Sequence, residues 1–154
     1  MTKTDMIEPK LLILNGPNLN MLGRRDPAIY GHETLEDIKA LCEKAAAAEG
    51  FTADFRQSNH EGTLVDWIQE AADTEGIAGV IINAGAYTHT SVAIHDALEI
   101  LHVPVIEVHL SNPKKRESFR HVSYVEPVAK AVFAGRGAKS YVLAIEDVAR
   151  MLSF

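Results

Sequence analysis

Four short apolar runs and one alternating run, separated by stretches of helical periodicity, constrain this chain more than any other feature. The apolar runs are "LLIL" (11–14), "GVIIN" (79–83), "PVIEVHLS" (104–111) and "AVFA" (131–134), and the alternating one is "TADFRQS" (52–58). Runs of this length, bounded by Gly, Asn and Pro, read as strands. The segments between them read as helices: "TLEDIKALCEKAAAAEG" (34–50), "TLVDWIQEAADTEG" (63–76), "TSVAIHDALEIL" (90–101) and "AKSYVLAIEDVARML" (138–152). In the third, Ile94, Ala97, Leu98 and Leu101 share one face. Strands joined through helices run parallel, and a parallel sheet is covered by helices on both faces.

The pattern therefore predicts an α/β fold: a flavodoxin-like three-layer sandwich with a five-stranded parallel sheet. Periodicity does not reveal strand order; the order expected for this architecture is 2-1-3-4-5. Thr34 is placed to cap its helix, with Asp37 at the third helical position and Gly50 to stop it. Thr63 and Asp66 repeat that start signal in the next helix. With 154 residues the chain can bury one core, and it has no internal repeat, low-complexity segment or linker. A single catalytic domain is expected over 10–154, behind a flexible leader at 1–9. That leader, "MTKTDMIEP", lacks the apolar centre of a secretory signal, and no apolar run approaches a membrane span. The lone Cys42 suits a reducing compartment, and a net charge of −6 argues against a nucleic-acid binder. The expectation is a cytoplasmic protein with neither nucleic acid nor membrane as partner.

Strand one runs directly into "NGPNLNMLGRRDPAIYG" (15–31). Connections in α/β units take about 2–6 residues, and long aperiodic ones are usually functional. This one carries Arg24, Arg25 and Tyr30, and reads as a structureless lid. Ligands of parallel sheets bind beyond the carboxyl ends of the strands, where Asn83, His89, Glu107, His109, Ser111 and Asn112 gather. Alternation along strand four puts Glu107, His109 and Ser111 on one face. A carboxylate beside an imidazole holds the ring and favours its protonated form, as a general acid requires.

An acid needs a base, and Tyr30 is the candidate. An isolated tyrosine ionises near pH 10, so serving near neutrality takes about 4 kcal/mol of preference for the phenolate. One guanidinium at about 4 Å contributes roughly that at an effective dielectric of 20. An Arg-bearing lid over an anionic small molecule supplies it. The bland reading makes Arg24 and Arg25 solvated charges, Tyr30 a hinge anchor and the His–Glu pair a polar strand end. A nucleotide-binding or signalling module of the same fold then competes. Metal chemistry finds no support: the seven histidines show no HxH, HExxH or Cys-paired spacing. No G-x-G-x-x-G follows a strand, and Lys114 and Lys115 have no apolar setting to make a Schiff-base lysine.

Three blocks, "LNGPNLNMLGRRDPAIYG", "INAGAYTHTSVAIHDAL" and "PVIEVHLSNPKKRESFRHVSY", closely resemble the signature blocks of the type II 3-dehydroquinate dehydratases, in order and spacing. The likeness runs from about Leu11 to the C-terminal helix. It implies dehydration of 3-dehydroquinate to 3-dehydroshikimate by anti elimination through an enolate, with no metal or organic cofactor. It also implies a role for each matching residue. Tyr30 removes the proton beside the ketone, Arg25 favours its phenolate, and Asn18 helps hold a water at the enolate oxygen. His109 protonates the departing hydroxyl, with Glu107 orienting its ring. Asn83, His89 and Arg120 contact substrate hydroxyls, while Ser111 and the backbone N–H groups around Leu110 take the carboxylate. Asp96 falls off the apolar face of its helix; the resemblance places it against a neighbouring subunit's site, in trimers that build a dodecamer. The chain departs from the family's habit at Pro113, Lys114, Lys115 and Arg136, none of them a proposed catalytic group.

Overall fold

The computed structural model describes residues 8–153, so residues 1–7 of the expected leader lie outside the described residues. Five strands, β1 (Lys10–Asn15), β2 (Thr52–Gln57), β3 (Ile77–Asn83), β4 (Val105–Val108) and β5 (Ala131–Phe133), form one parallel sheet. Its order is β2-β1-β3-β4-β5, the expected one. Helix α1 (Pro27–Tyr30) lies in the long first connection, and α2 (Leu35–Ala48), α3 (Glu61–Ala72), α4 (Val92–Glu99) and α5 (Lys139–Leu152) cover the sheet.

Right-handed crossovers decide which helix covers which face. The chain leaves β1 toward β2 through α2, then reverses past β1 to β3 through α3, so these helices fall on opposite faces. Leu11 and Ile13 pack with Ile38, Cys42, Tyr141 and Ile145 from α2 and α5. Leu12 and Leu14, pointing the other way, pack with Leu64, Ile68, Ile94 and Leu98 from α3 and α4. The reversal splays the loops after β1 and β3 apart, and this is where parallel sheets bind ligands. The two loops still touch at their base: Gly16 N–H donates to Asn83 O at 2.8 Å. A Cβ on Gly16 would lie 2.2 Å from Ala84 O, so no other residue fits without moving the backbone.

Local signals hold where side chains can satisfy helix ends. Thr34 and Asp37 form a reciprocal capping box on α2. The second predicted helix differs. It starts at Glu61 with His60 as a cap that makes no side-chain bond, and it ends at Ala72. The early start seats Glu61 in the first turn, where a carboxylate complements the helix dipole, and Ser58 Oγ accepts the His60 N–H at 3.0 Å. Thr63 is therefore an interior residue rather than a cap. The third predicted helix begins later than drawn, because Ser91 accepts the Ile94 N–H at 2.9 Å.

Strand four is shorter than its apolar run. Its partner β5 ends at Phe133, so after the His109 N–H reaches Phe133 O at 3.0 Å the chain leaves the sheet. It is then tied to the start of α5 by Gly137 N–H to Leu110 O, at 3.0 Å. The first connection is not structureless. Leu19–Met21 make a 3₁₀ turn with Leu19 buried, Leu22 is buried beside it, and α1 is capped by Asp26 with Pro27 at its first position. These anchors place Tyr30 at the end of a defined helical turn.

Candidate active site

One cavity opens at the carboxyl edge of the sheet, between the loops after β1, β3 and β4. It gathers Asn18, Arg25, Tyr30, Asn83, His89, His109, Leu110, Ser111 and Arg120, which is nearly every residue singled out from the sequence. Arg116 lines it too, so among the described residues three guanidinium groups face the space and no carboxylate does. In a chain of net charge −6 that is a local reversal of sign, suited to an anionic ligand.

Tyr30 stands between two of the three arginines. Arg25 Nη2 donates to Tyr30 Oη at 2.8 Å, with its Cζ 3.8 Å from the ring centroid. Arg116 Cζ lies 5.1 Å from the same centroid, and its Nη1 donates to Ser111 Oγ at 3.3 Å. Arg24 is exposed and does not line the cavity.

His109 and Glu107 share a face as predicted and are buried, at 7 % and 2 % exposure. His109 Nε2 donates to Glu107 Oε2 at 2.5 Å, and Ser123 Oγ donates to the same oxygen at 2.9 Å. The carboxylate therefore fixes the ring and leaves Nδ1 as the nitrogen free to face the cavity. His89 Nδ1 donates to Val122 O at 2.8 Å, which makes Nε2 its free acceptor. Burial pushes the His89 pKa below the ordinary histidine value; the nearby His109 and Arg120 push the same way, against the hydrogen bond to Val122.

Asn18 takes a left-handed backbone conformation, φ 69°, unusual outside glycine but tolerated by Asn. Its N–H donates to Asn59 Oδ1 at 3.0 Å, and Gln57 Nε2 steadies the same oxygen at 3.1 Å. Neither supporting residue was marked in the sequence, since nothing local shows that β2 ends beside this loop. Arg116 lies inside the third quoted block but was given no role there. Its only sequence signal was a cation four residues from Arg120.

Asp96, like Arg24 and Asn112, stands outside the cavity lining. It is exposed on α4 and does not reach this cavity within one chain. Ligand atoms of His95, Asp96 and Glu99 lie within 4.8 Å of one another. Both His95 nitrogens are already engaged, by Tyr124 O at 2.7 Å and Glu99 at 3.0 Å.

Residues 9–149 match the family model described as dehydroquinase class II. The chain belongs to the class II dehydroquinase family. A curated 3-dehydroquinate dehydratase of Rhizobium etli is 58 % identical over 135 residues, 88 % of this chain and 92 % of that protein. The 3-dehydroquinate dehydratase 2 of Pseudomonas putida is 54 % identical over 146 residues, covering 95 % of this chain and 97 % of that one. The crystal structure of the type II dehydroquinase from Butyrivibrio crossotus superposes with a TM-score of 0.88 at 45 % identity, over 92 % of this chain and 97 % of that one. Membership of the class II dehydroquinases displaces the nucleotide-binding or signalling module that the fold by itself also allowed.

Proposed function

We propose that this chain dehydrates 3-dehydroquinate to 3-dehydroshikimate, with Tyr30 as base and His109 as acid. The observation that carries the assignment of roles is the pairing, in one cavity, of a guanidinium-clamped tyrosine with a carboxylate-held histidine. Tyr30 takes a proton from the carbon next to the ketone. The electron pair moves into an enolate, which Asn18 stabilises through a bridging water. His109 then protonates the hydroxyl on the neighbouring carbon, which leaves as water in an anti elimination. Glu107 holds the His109 ring through this step. Asn83, the free Nε2 of His89, and Arg120 meet substrate hydroxyls. Ser111 and the backbone N–H groups at Leu110 and Ser111 receive the carboxylate beside Arg116.

The reading extends to assembly. A single catalytic domain over 10–154 forms trimers that build a dodecamer, and Asp96 approaches the active site of a neighbour. Its exposure on α4 supports this, as do the exposed apolar residues Val92 and Val122 nearby, at 52 % and 60 %. No helix among the described residues is long and apolar enough to cross a membrane, and a cytoplasmic location fits the reduced, buried Cys42.

The test is direct turnover, followed by the enone absorbance of the product. Wild-type protein generates it and a chelator leaves the rate unchanged, whereas Tyr30→Phe and His109→Ala each nearly abolish it. A rate that survives Tyr30→Phe removes the base from this scheme.

A further inference from the structure

Beneath the cavity, the ends of β1 and β3 are joined by a chain of side-chain hydrogen bonds that the elimination does not use. Asn15 Nδ2 donates to Arg56 O at 3.0 Å, and Tyr141 Oη donates to Asn15 Oδ1 at 2.7 Å. Asn83 Nδ2 donates to Tyr141 Oη at 2.9 Å, and Gly85 N–H donates to Asn83 Oδ1 at 3.2 Å. Asn15 and Tyr141 are 0 % exposed and Asn83 is 3 % exposed, so each polar atom depends on its protein partner.

The chain has only one consistent direction. A backbone carbonyl can only accept, so Arg56 O requires the NH₂ end of Asn15 and turns the Asn15 oxygen toward Tyr141. That oxygen takes the single proton of the Tyr141 hydroxyl. The phenol oxygen can then only accept, which requires the NH₂ end of Asn83. At the far end, Gly85 N–H can only donate and requires the Asn83 oxygen. Both backbone termini impose the same polarity. One N–H and one lone pair of Asn83 are consumed, and the others are presented to the cavity in a fixed orientation. Tyr141 itself does not line that cavity.

We infer that Tyr141 is a positioning residue for substrate recognition: its hydroxyl decides which edge of the Asn83 amide meets a substrate hydroxyl. This rests on the dehydratase reading of the cavity. With phenylalanine at 141, Asn83 keeps only its bond to Gly85 and can turn about its terminal torsion, so a donor meets a donor in part of the population.

The experiment is steady-state turnover of 3-dehydroquinate by Tyr141→Phe, Asn83→Ala and the double variant. Tyr141→Phe raises KM about five- to tenfold, the equivalent of one neutral hydrogen bond, with kcat within about twofold of wild type. The KM effect vanishes in the Asn83→Ala background. A lowered Tm with unchanged KM overturns the inference, and so does a KM effect that persists in full without Asn83. A neutron structure of the wild-type protein decides it without any variant. A deuteron on Tyr141 pointing at Asn15 supports the relay, and one pointing at Asn83 overturns it. Absence of wild-type turnover refutes the dehydratase reading separately and leaves the neutron result to judge the relay alone.

Discussion

Replacing Arg25 with glutamine removes the charge nearest the base while keeping a side chain able to reach it. In the native site Arg25 Nη2 is 2.8 Å from Tyr30 Oη. A unit pair at about 3 Å interacts by roughly 1.4 kcal/mol in bulk water and roughly 5.5 kcal/mol at an effective dielectric of 20. Both side chains are half-buried, which places the attraction of Arg25 for charge developing on the phenol oxygen between these limits, at about 3 kcal/mol. That is about two powers of ten in rate. The expected result is a kcat near one hundredth of wild type, with Arg116 sustaining the remainder from the other guanidinium position. The assay is product absorbance at saturating substrate, with circular dichroism to show that the fold is intact. A kcat within fivefold of wild type refutes the reasoning.

Glu107→Gln turns the charge-assisted bond to His109 into a neutral one, a difference of about 1–2 kcal/mol, so kcat drops roughly five- to thirtyfold. A change confined to KM would show that the pair binds substrate instead of moving a proton. His89 is held neutral by burial, with its pKa below the unfolded value of about 6.5. The unfolded chain therefore binds more protons as pH falls through that value, and stability contributed by neutral His89 above it is lost on acidification. The difference in unfolding free energy between wild type and His89→Asn shrinks from pH 7.5 to 5.5 in urea titrations, and a constant difference contradicts the assignment. Burial pushes the Cys42 thiol up to about 12. A thiol reagent at pH 8 accordingly modifies Cys42 only in denaturant, and labelling of the native protein would show that the α2 layer opens.

Much of the site was legible because its parts lie at strand ends. Glu107 and His109 are two residues apart, and the period of a strand puts them on one face whatever the rest of the chain does. Asn83 and His89 follow the buried run of β3, and the Arg-Tyr lid stands out by its length. Arg116 and Asn59 were not legible in the same way. Each acts through a neighbour distant in sequence, Tyr30 in the first case and Asn18 in the second, and no local pattern encodes such a meeting. Helix α3 shows the same limit at smaller scale. Its start was set by the turn after β2 and not by Thr63, the better intrinsic cap.

Periodicity and turn chemistry, which act within a few residues, by themselves determined the parallel sheet, its covering helices and the edge at which chemistry occurs. Tertiary structure alone decided which polar groups face one another: Tyr30 between Arg25 and Arg116, Ser123 on Glu107, and Tyr141 linking Asn15 to Asn83. Hydrogen bonds and charge pairs act over only a few ångströms, so partners dozens of residues apart acquire meaning only after packing has brought them together.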